Sequence, residues 1–262
     1  MKNYLALCLM CKDENMYLKE WIDYHLSLGV QHIYIYDNLS KVPIAKTVSS
    51  YIKKGKVTVI PWSYNYVQGR HVKCQNHCLQ NHGKKWAWIG FIDTDEFIVL
   101  KNGSTDLKIF LKEYEEFGGL IMNWMCFGAN EHKNAPKSVI QGFTQCKPGL
   151  SDNKHVKTIV NTRYVKVNVK RGNPHEFKSS KPIVNANKKR CRGAHNVPPL
   201  WDKIQLNHYV TRSKKEYQGK RNRGGGNSTA FRKKQLNEAF FKRYQGGNTQ
   251  DYSIIKLYER IS

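Results

Sequence analysis

Apolar and polar positions along the first hundred residues switch repeatedly between two periods. Tyr4–Cys11 is an unbroken apolar run, expected of a strand covered on both faces, and it stops at the polar cluster Lys12–Asn15. Tyr17, Leu18, Trp21, Ile22, His25 and Leu28 then recur at helical spacing, with Gly29 as the stop. Val30–Tyr36 predicts a second strand ending in Asp37-Asn38. Pro43 opens a helix through Lys53 that Gly55 closes, and Lys56–Ile60 predicts a third strand. Gly69–His82 predicts another helix, with Val72, Cys78 and Leu79 inward. Strand and helix alternating in this way make a parallel sheet wrapped by helices. Right-handed crossovers bring Lys12–Asn15, Asp37-Asn38 and Asp93–Asp95 to one rim, a crevice of nucleotide size.

The stretch Trp86–Leu100, WAWIGFIDTDEFIVL, breaks the pattern from within. It is expected as one buried strand interrupted by Asp93-Thr94-Asp95-Glu96. Three carboxylates in four positions are costly inside an apolar run unless something cancels their charge. A hard divalent cation does so with oxygen ligands. On an extended backbone Asp93 and Asp95 share a face. The plainer alternative is an acidic turn after a strand.

Beyond Ser104 a short helix (Leu107, Phe110, Leu111, Tyr114) leads through Gly118-Gly119 into the apolar run Leu120–Phe127. Regularity then fades. Thr158–Val169 alternates like a strand, Gly172–Phe177 holds a Pro-His-Glu turn, and Ser179–Pro199 is a basic loop. Leu206–Val210 is short and apolar, and Lys220–Lys234 is Arg-rich around Gly224–Gly226. No repeat or linker divides the chain. Residues 1–262 are expected as a single domain, with 1–100 the nucleotide-binding half and 101–262 an irregular half ending in a basic tail.

Composition changes this picture in one respect. Residues 1–100 hold 12 Lys and Arg against 8 Asp and Glu, whereas residues 101–262 hold 32 against 12, most of the net +24. Such an excess attracts polyanions, anionic membrane faces or phosphorylated substrates. No run approaches the ~18 apolar residues of a membrane span. Seven scattered cysteines suggest a reducing compartment, so a cytoplasmic protein with peripheral membrane contact is the expectation. Cys8 and Cys11 form a lone CxxC better read as strand cysteines, and Cys74 with Cys78 fall on one helix face.

Five phrases in order, KDENMYLKEWIDYHLSLGVQHIYIYDN, QNHCLQ, WAWIGFIDTDEFIV, WMCFGANEH and NHYVTRSKKEYQGKRNRG, resemble glycosyltransferases of the family-2-like and family-92-like group. The resemblance covers about Leu5 to Gly224. It implies a GT-A fold, a nucleotide-sugar donor (a UDP-sugar is expected), an inverting transfer, and a divalent cation, Mn2+ or Mg2+. It further implies that Asp93 lies toward ribose and metal, Asp95 on the metal, and Asp37 with Glu14 near the nucleoside. By the same resemblance, Gln75 and Asn76 face the donor, His208 is a metal ligand, and Lys214, Lys220 and Arg223 lie over the diphosphate; Lys12, on the rim at the end of the first strand, is also expected to bind the donor. Glu131 departs from the glycine expected in FGANEH.

A direct attack needs a base for the acceptor hydroxyl, and among the acids between the metal strand and His208 the candidates are Glu131, Asp152 and Glu176. Glu131 ranks first because it follows Leu120–Phe127. Trp124 and Trp201 are candidate sugar platforms, although large aromatics are more often core. The acceptor is expected to be a glycan or lipid-linked. A nucleic-acid- or polyanion-binding protein is the alternative for the basic half, but no RNA-binding signature is present and nucleic acid is not the expected partner. A nucleotidyl- or phosphotransferase could use the same aspartates.

Overall fold

The computed structural model describes residues 3–63, 69–167, 172–222, 237–247 and 249–262. Strands β1 (Asn3–Cys11), β2 (His32–Asp37) and β3 (Val57–Pro61) run parallel, joined by helix α1 (Asn15–Ser27) and the short helices α2 (Ile44–Thr47) and α3 (Ser49–Lys53). The single helix expected over 43–53 is two, because Val48 leaves helical geometry at φ −107° and ψ 18°. Helix α4 (Arg70–His82) precedes β4 (Trp86–Phe91), which also pairs parallel with β1. The continuous apolar character of β1 has its reason in the packing. Leu5, Leu7 and Leu9 face α1 residues such as Trp21 and Ile22, while Ala6 and Cys8 face Cys74 and Cys78 of α4.

Trp86–Leu100 is not one strand. The chain leaves the sheet at Ile92 and re-enters as β5 (Glu96–Leu100), which pairs antiparallel with β10 (Ile204–His208). Between β4 and β10 lie β8 (Val156–Asn161) and β6 (Gly119–Cys126), so the strand order is β3-β2-β1-β4-β8-β6-β10-β5. The expected parallel sheet therefore holds from β3 to β4 and becomes mixed beyond it. The pairs β4–β8 and β6–β8 are antiparallel, while β6–β10 is parallel. Five residue steps from Phe91 to Glu96 reach at most about 18 Å. Four flat strand spacings would need about 19 Å. The turn is hydrogen-bonded, Glu96 N donating to Asp93 O at 3.1 Å, so its true reach is shorter. The sheet must curl, and the acidic turn bridges its rim.

Of the strand expected over Thr158–Val169, Thr158–Asn161 belong to β8, which gives way to a turn at Thr162; Asn168 and Val169 lie outside the described residues. The loop expected over 179–199 contains a short strand, β9 (Ile183–Val184), beside β6. The C-terminal helix Ser253–Ile261, unread in the sequence, buries Ile254 and Leu257 against the α1 side of the sheet. None of the seven cysteines is disulfide-bonded, and the Cys8, Cys74 and Cys78 thiols lie in the core. No described helix is long and apolar enough to cross a membrane.

Candidate active site

The turn 92–95 is over-determined by its surroundings. Glu96, fully buried, folds its carboxylate back so that Oε2 accepts from Asp93 N at 2.8 Å. Its Oε1 accepts from Trp124 Nε1 at 2.8 Å. Tyr209 N donates to Asp95 O, Arg212 Nη2 to Thr94 O and Trp21 Nε1 to Glu96 O. The backbone is a turn, so Asp93 and Asp95 do not share a strand face; each meets a different lysine. Lys157 Nζ of β8 lies 2.5 Å from Asp93 Oδ2 and 3.4 Å from Glu96 Oε2. Lys220 Nζ, on helix α7 (Lys214–Asn222), lies 2.5 Å from Asp95 Oδ2.

The charges follow this geometry. Burial raises the Asp95 carboxyl, but Lys220, His208 and Arg212 together hold it well below the usual range. Asp93 is likewise lowered, its burial outweighed chiefly by Lys157. Burial depresses Lys157, yet Asp93 and Glu96 carry it above the ordinary lysine value. Glu96 goes the other way. Desolvation pushes it up to about 8, against Lys157 and with the Asp93 and Asp95 charges adding.

His208 stands at the end of β10, in register with Glu96 and with its ring 4.2 Å from that of Trp124. Its Nε2 faces Asp95 Oδ1 at 3.8 Å, too long for a hydrogen bond, and its buried Nδ1 has no partner among the described residues. Burial pushes its pKa down to about 4 despite the Asp95 charge, so the ring is neutral near pH 7. A carboxylate facing a neutral imidazole across such a gap suits a divalent cation. These two residues fit one; Asp93 is turned to Lys157. Among the described residues no group of three His, Cys, Asp or Glu side chains is arranged to hold a metal.

The other expected residues scatter around this centre. Parallel pairing aligns Cys11 with Asp37, so the ends of β1 and β2 share the rim with the turn that follows β4. Asp37 is committed locally, Oδ1 accepting from Ser40 N and Oδ2 from Ile44 N. Glu14 pairs with Arg212 at 2.8 Å, and both line a cavity with Lys220. Lys12 is half-buried at the end of β1. Gln75 donates to Pro174 O and, with His71 and Asp93, lines a second cavity of about 130 Å³. Asn76 is the next residue of α4, and Lys214 opens α7, its backbone N bonded to His132 O. Arg223 and Gly224–Gly226 lie outside the described residues.

Of the three candidate bases, Asp152 is bound to Arg243 at 3.0 Å and to the Tyr244 hydroxyl. Glu131 is exposed in a left-handed turn, φ 60°, that follows β6. Glu176 pairs with Lys178 at 3.2 Å and stands on the segment beside His175. Trp124 and Trp201 are linked, Trp201 Nε1 donating to Trp124 O, and Trp124 is committed to Glu96 and His208. Lys157, Arg212 and His175 had no role in the sequence reading. A lysine inside the apolar run VKTIV was the available signal for the first; Arg212 lies in the phrase NHYVTRSKKEYQGKRNRG and His175 in the Pro-His-Glu turn, but neither context named a partner.

A family model described as glycosyltransferase family 92 matches residues 4–255. A family 92 protein of Ricinus communis is 31% identical over 150 residues, covering 53% of this chain and 26% of that protein. One from Arabidopsis thaliana is 35% identical over 104 residues, covering 37% and 16%. The chain thus spans about a quarter or less of the curated relatives it matches. Among solved structures, S. aureus TarS 1-349 is similar over 93% of this chain and 70% of that one, with 14% identity and a TM-score of 0.47. The mannosyltransferase PcManGT from Pyrobaculum calidifontis, in complex with GDP-Man and Mn2+, covers 62% and 45% at 10% identity and a TM-score of 0.38.

Proposed function

The chain belongs to glycosyltransferase family 92, and we propose that it moves a sugar from a nucleotide-sugar donor, a UDP-sugar, to a hydroxyl of a glycan or lipid-linked acceptor. The observation that carries the reading is the turn Asp93–Glu96, held at the sheet rim with Lys157, Lys220 and His208 converging on it. In the transfer the acceptor oxygen bonds to the anomeric carbon, the bond from that carbon to the diphosphate breaks, and the acceptor proton passes to a base. Inversion follows if this occurs in one displacement.

Negative charge grows on the departing diphosphate, and cations aimed there stabilise the transition state more than the ground state. A divalent cation, Mn2+ or Mg2+, held by Asp95 and His208 would supply such charge. Lys220 would swing from Asp95 to a phosphate oxygen, while Arg212 keeps the turn in place through Thr94 O and Glu14. Lys157 holds Asp93 in position beside the cavity that Gln75 and His71 line. Glu176 is the candidate base that placement favours, since its segment walls that cavity; Asp152 is engaged elsewhere.

The test is product analysis by mass spectrometry after incubation with UDP-sugars and a mixed glycan acceptor pool. The expected result is an acceptor heavier by one sugar residue, lost in Asp95→Ala and strongly reduced in His208→Ala. Turnover of wild type and Asp95→Ala at equal rates would refute the reading, and transfer of a nucleotidyl or phosphoryl group would replace it.

A further inference from the structure

We propose that the cavity between Phe177 and Arg190 is an anion subsite that takes a phosphate group carried by the acceptor. It measures about 300 Å³, at the lower end of small-molecule sites. Its floor is Ile121 and Thr158, direct register partners in β6 and β8. One wall is the segment from His175 to Pro182; the other is the stretch Arg190–Gly193.

The second wall is built rather than loose. Asn185 Oδ1 accepts from both Asn187 N and Lys189 N, closing a turn in which Lys188 adopts φ 59°. Cys191 N donates to Ile183 O at 2.8 Å, and Val184 and Arg190 form a bridge. These contacts tie the turn to β9 and hence to β6, and they leave Arg190 and Arg192 lining the cavity.

Four cations, Lys178, Lys181, Arg190 and Arg192, line this space against one carboxylate, Glu176, which Lys178 already engages. Among the described residues no carboxylate lies within ion-pair distance of Lys181, Arg190 or Arg192. Like charges gathered in a concave site repel one another, and a bound anion relieves that repulsion. Two guanidinium groups present the planar forks that match phosphate oxygens.

The position assigns the anion to the acceptor, a step that rests on the glycosyl-transfer reading. His175 lines both this cavity and the one containing Asp93 and Lys157, so the two spaces share a wall. Its Nδ1 is fixed by Val156 O at 2.8 Å. A donor held at the acidic turn and a phosphate held at Arg190 and Arg192 therefore flank the same segment at His175.

The experiment measures binding of glucose 6-phosphate, glucose and UDP by calorimetry to wild type and to Arg190→Ala/Arg192→Ala. A parallel arm follows sedimentation with vesicles of phosphatidylcholine, with and without phosphatidic acid. The expected result is that glucose 6-phosphate binds, glucose does not, and the double variant weakens binding by about tenfold or more (about 1.4 kcal/mol) with UDP binding unchanged. Arg190→Lys/Arg192→Lys recovers part of the loss. Preference for phosphatidic acid vesicles with the same arginine dependence assigns the phosphate to a lipid-linked acceptor. Equal binding by wild type and the alanine variant, or no phosphate-dependent binding in either arm, overturns the proposal. Failure of UDP alone to bind removes the donor reading and leaves the anion site standing.

Discussion

Replacing Lys157 by Met tests the idea that a lysine, and not the turn itself, makes the acidic turn tolerable. The side chain is 10% exposed and reaches two carboxylates, at 2.5 Å and 3.4 Å. Those carboxylates differ. Glu96 is fully buried and pushed up to about 8 even with Lys157 opposing, so it is protonated near pH 7 with or without the lysine and keeps Trp124 Nε1 and Asp93 N as partners. Asp93 is 35% exposed and stays charged, with water screening part of its loss. Breaking a fully buried pair costs about 3–5 kcal/mol, and an exposed pair is worth about 0–1 kcal/mol. This geometry lies between them, at about 2 kcal/mol. In a chain of this length that corresponds to a fall in Tm of roughly 4–8 °C. Urea unfolding of wild type, Lys157→Met, Asp93→Asn and the double variant forms a double-mutant cycle. The expected coupling is about 1–2 kcal/mol, with the double variant more stable than Lys157→Met. Additive effects, or a Lys157→Met midpoint equal to that of wild type, would refute the reasoning.

His25, fully buried with Nδ1 on Trp21 O, has its pKa pushed down by burial to about 3. Its unfolded value is near 6.5, so the unfolded chain binds the extra proton and stability falls as pH drops through that window. Urea midpoints should show a loss of up to about 2 kcal/mol from this residue between pH 7 and pH 5, absent in His25→Leu. Trp124→Phe keeps the ring over His208 but removes the hydrogen bond to Glu96, and should cost about 1 kcal/mol by the same assay while lowering turnover. Gly128→Ala places a Cβ 2.6 Å from the Tyr244 carbonyl oxygen, where backbone must move; a loss of about 1–3 kcal/mol is expected in thermal unfolding.

Much of the first half was readable because period and covering agree. The run Tyr4–Cys11 has one core on each face, and α1 and α4 bury the faces their spacing marks. The rim was readable for the same reason, since parallel strands end on one side. The acidic stretch misled in detail. An apolar run on both sides of Asp93–Glu96 looks like one strand, but local pattern does not say that Phe97–Leu100 pairs with a strand a hundred residues later. Long-range pairing also hid Lys157 and Arg212, whose partners are Asp93, Glu96, Glu14 and Thr94. Asp37 shows the converse: its place on the rim was legible, its use as a cap for the following loop was not.

The most direct measurement is calorimetric binding of UDP and of GDP, with and without Mn2+, to wild type and to Asp95→Ala. UDP binding that needs both the cation and Asp95 is the predicted result, with GDP weaker. Binding of neither nucleotide to wild type, or UDP binding indifferent to Asp95, would contradict a donor site at the acidic turn.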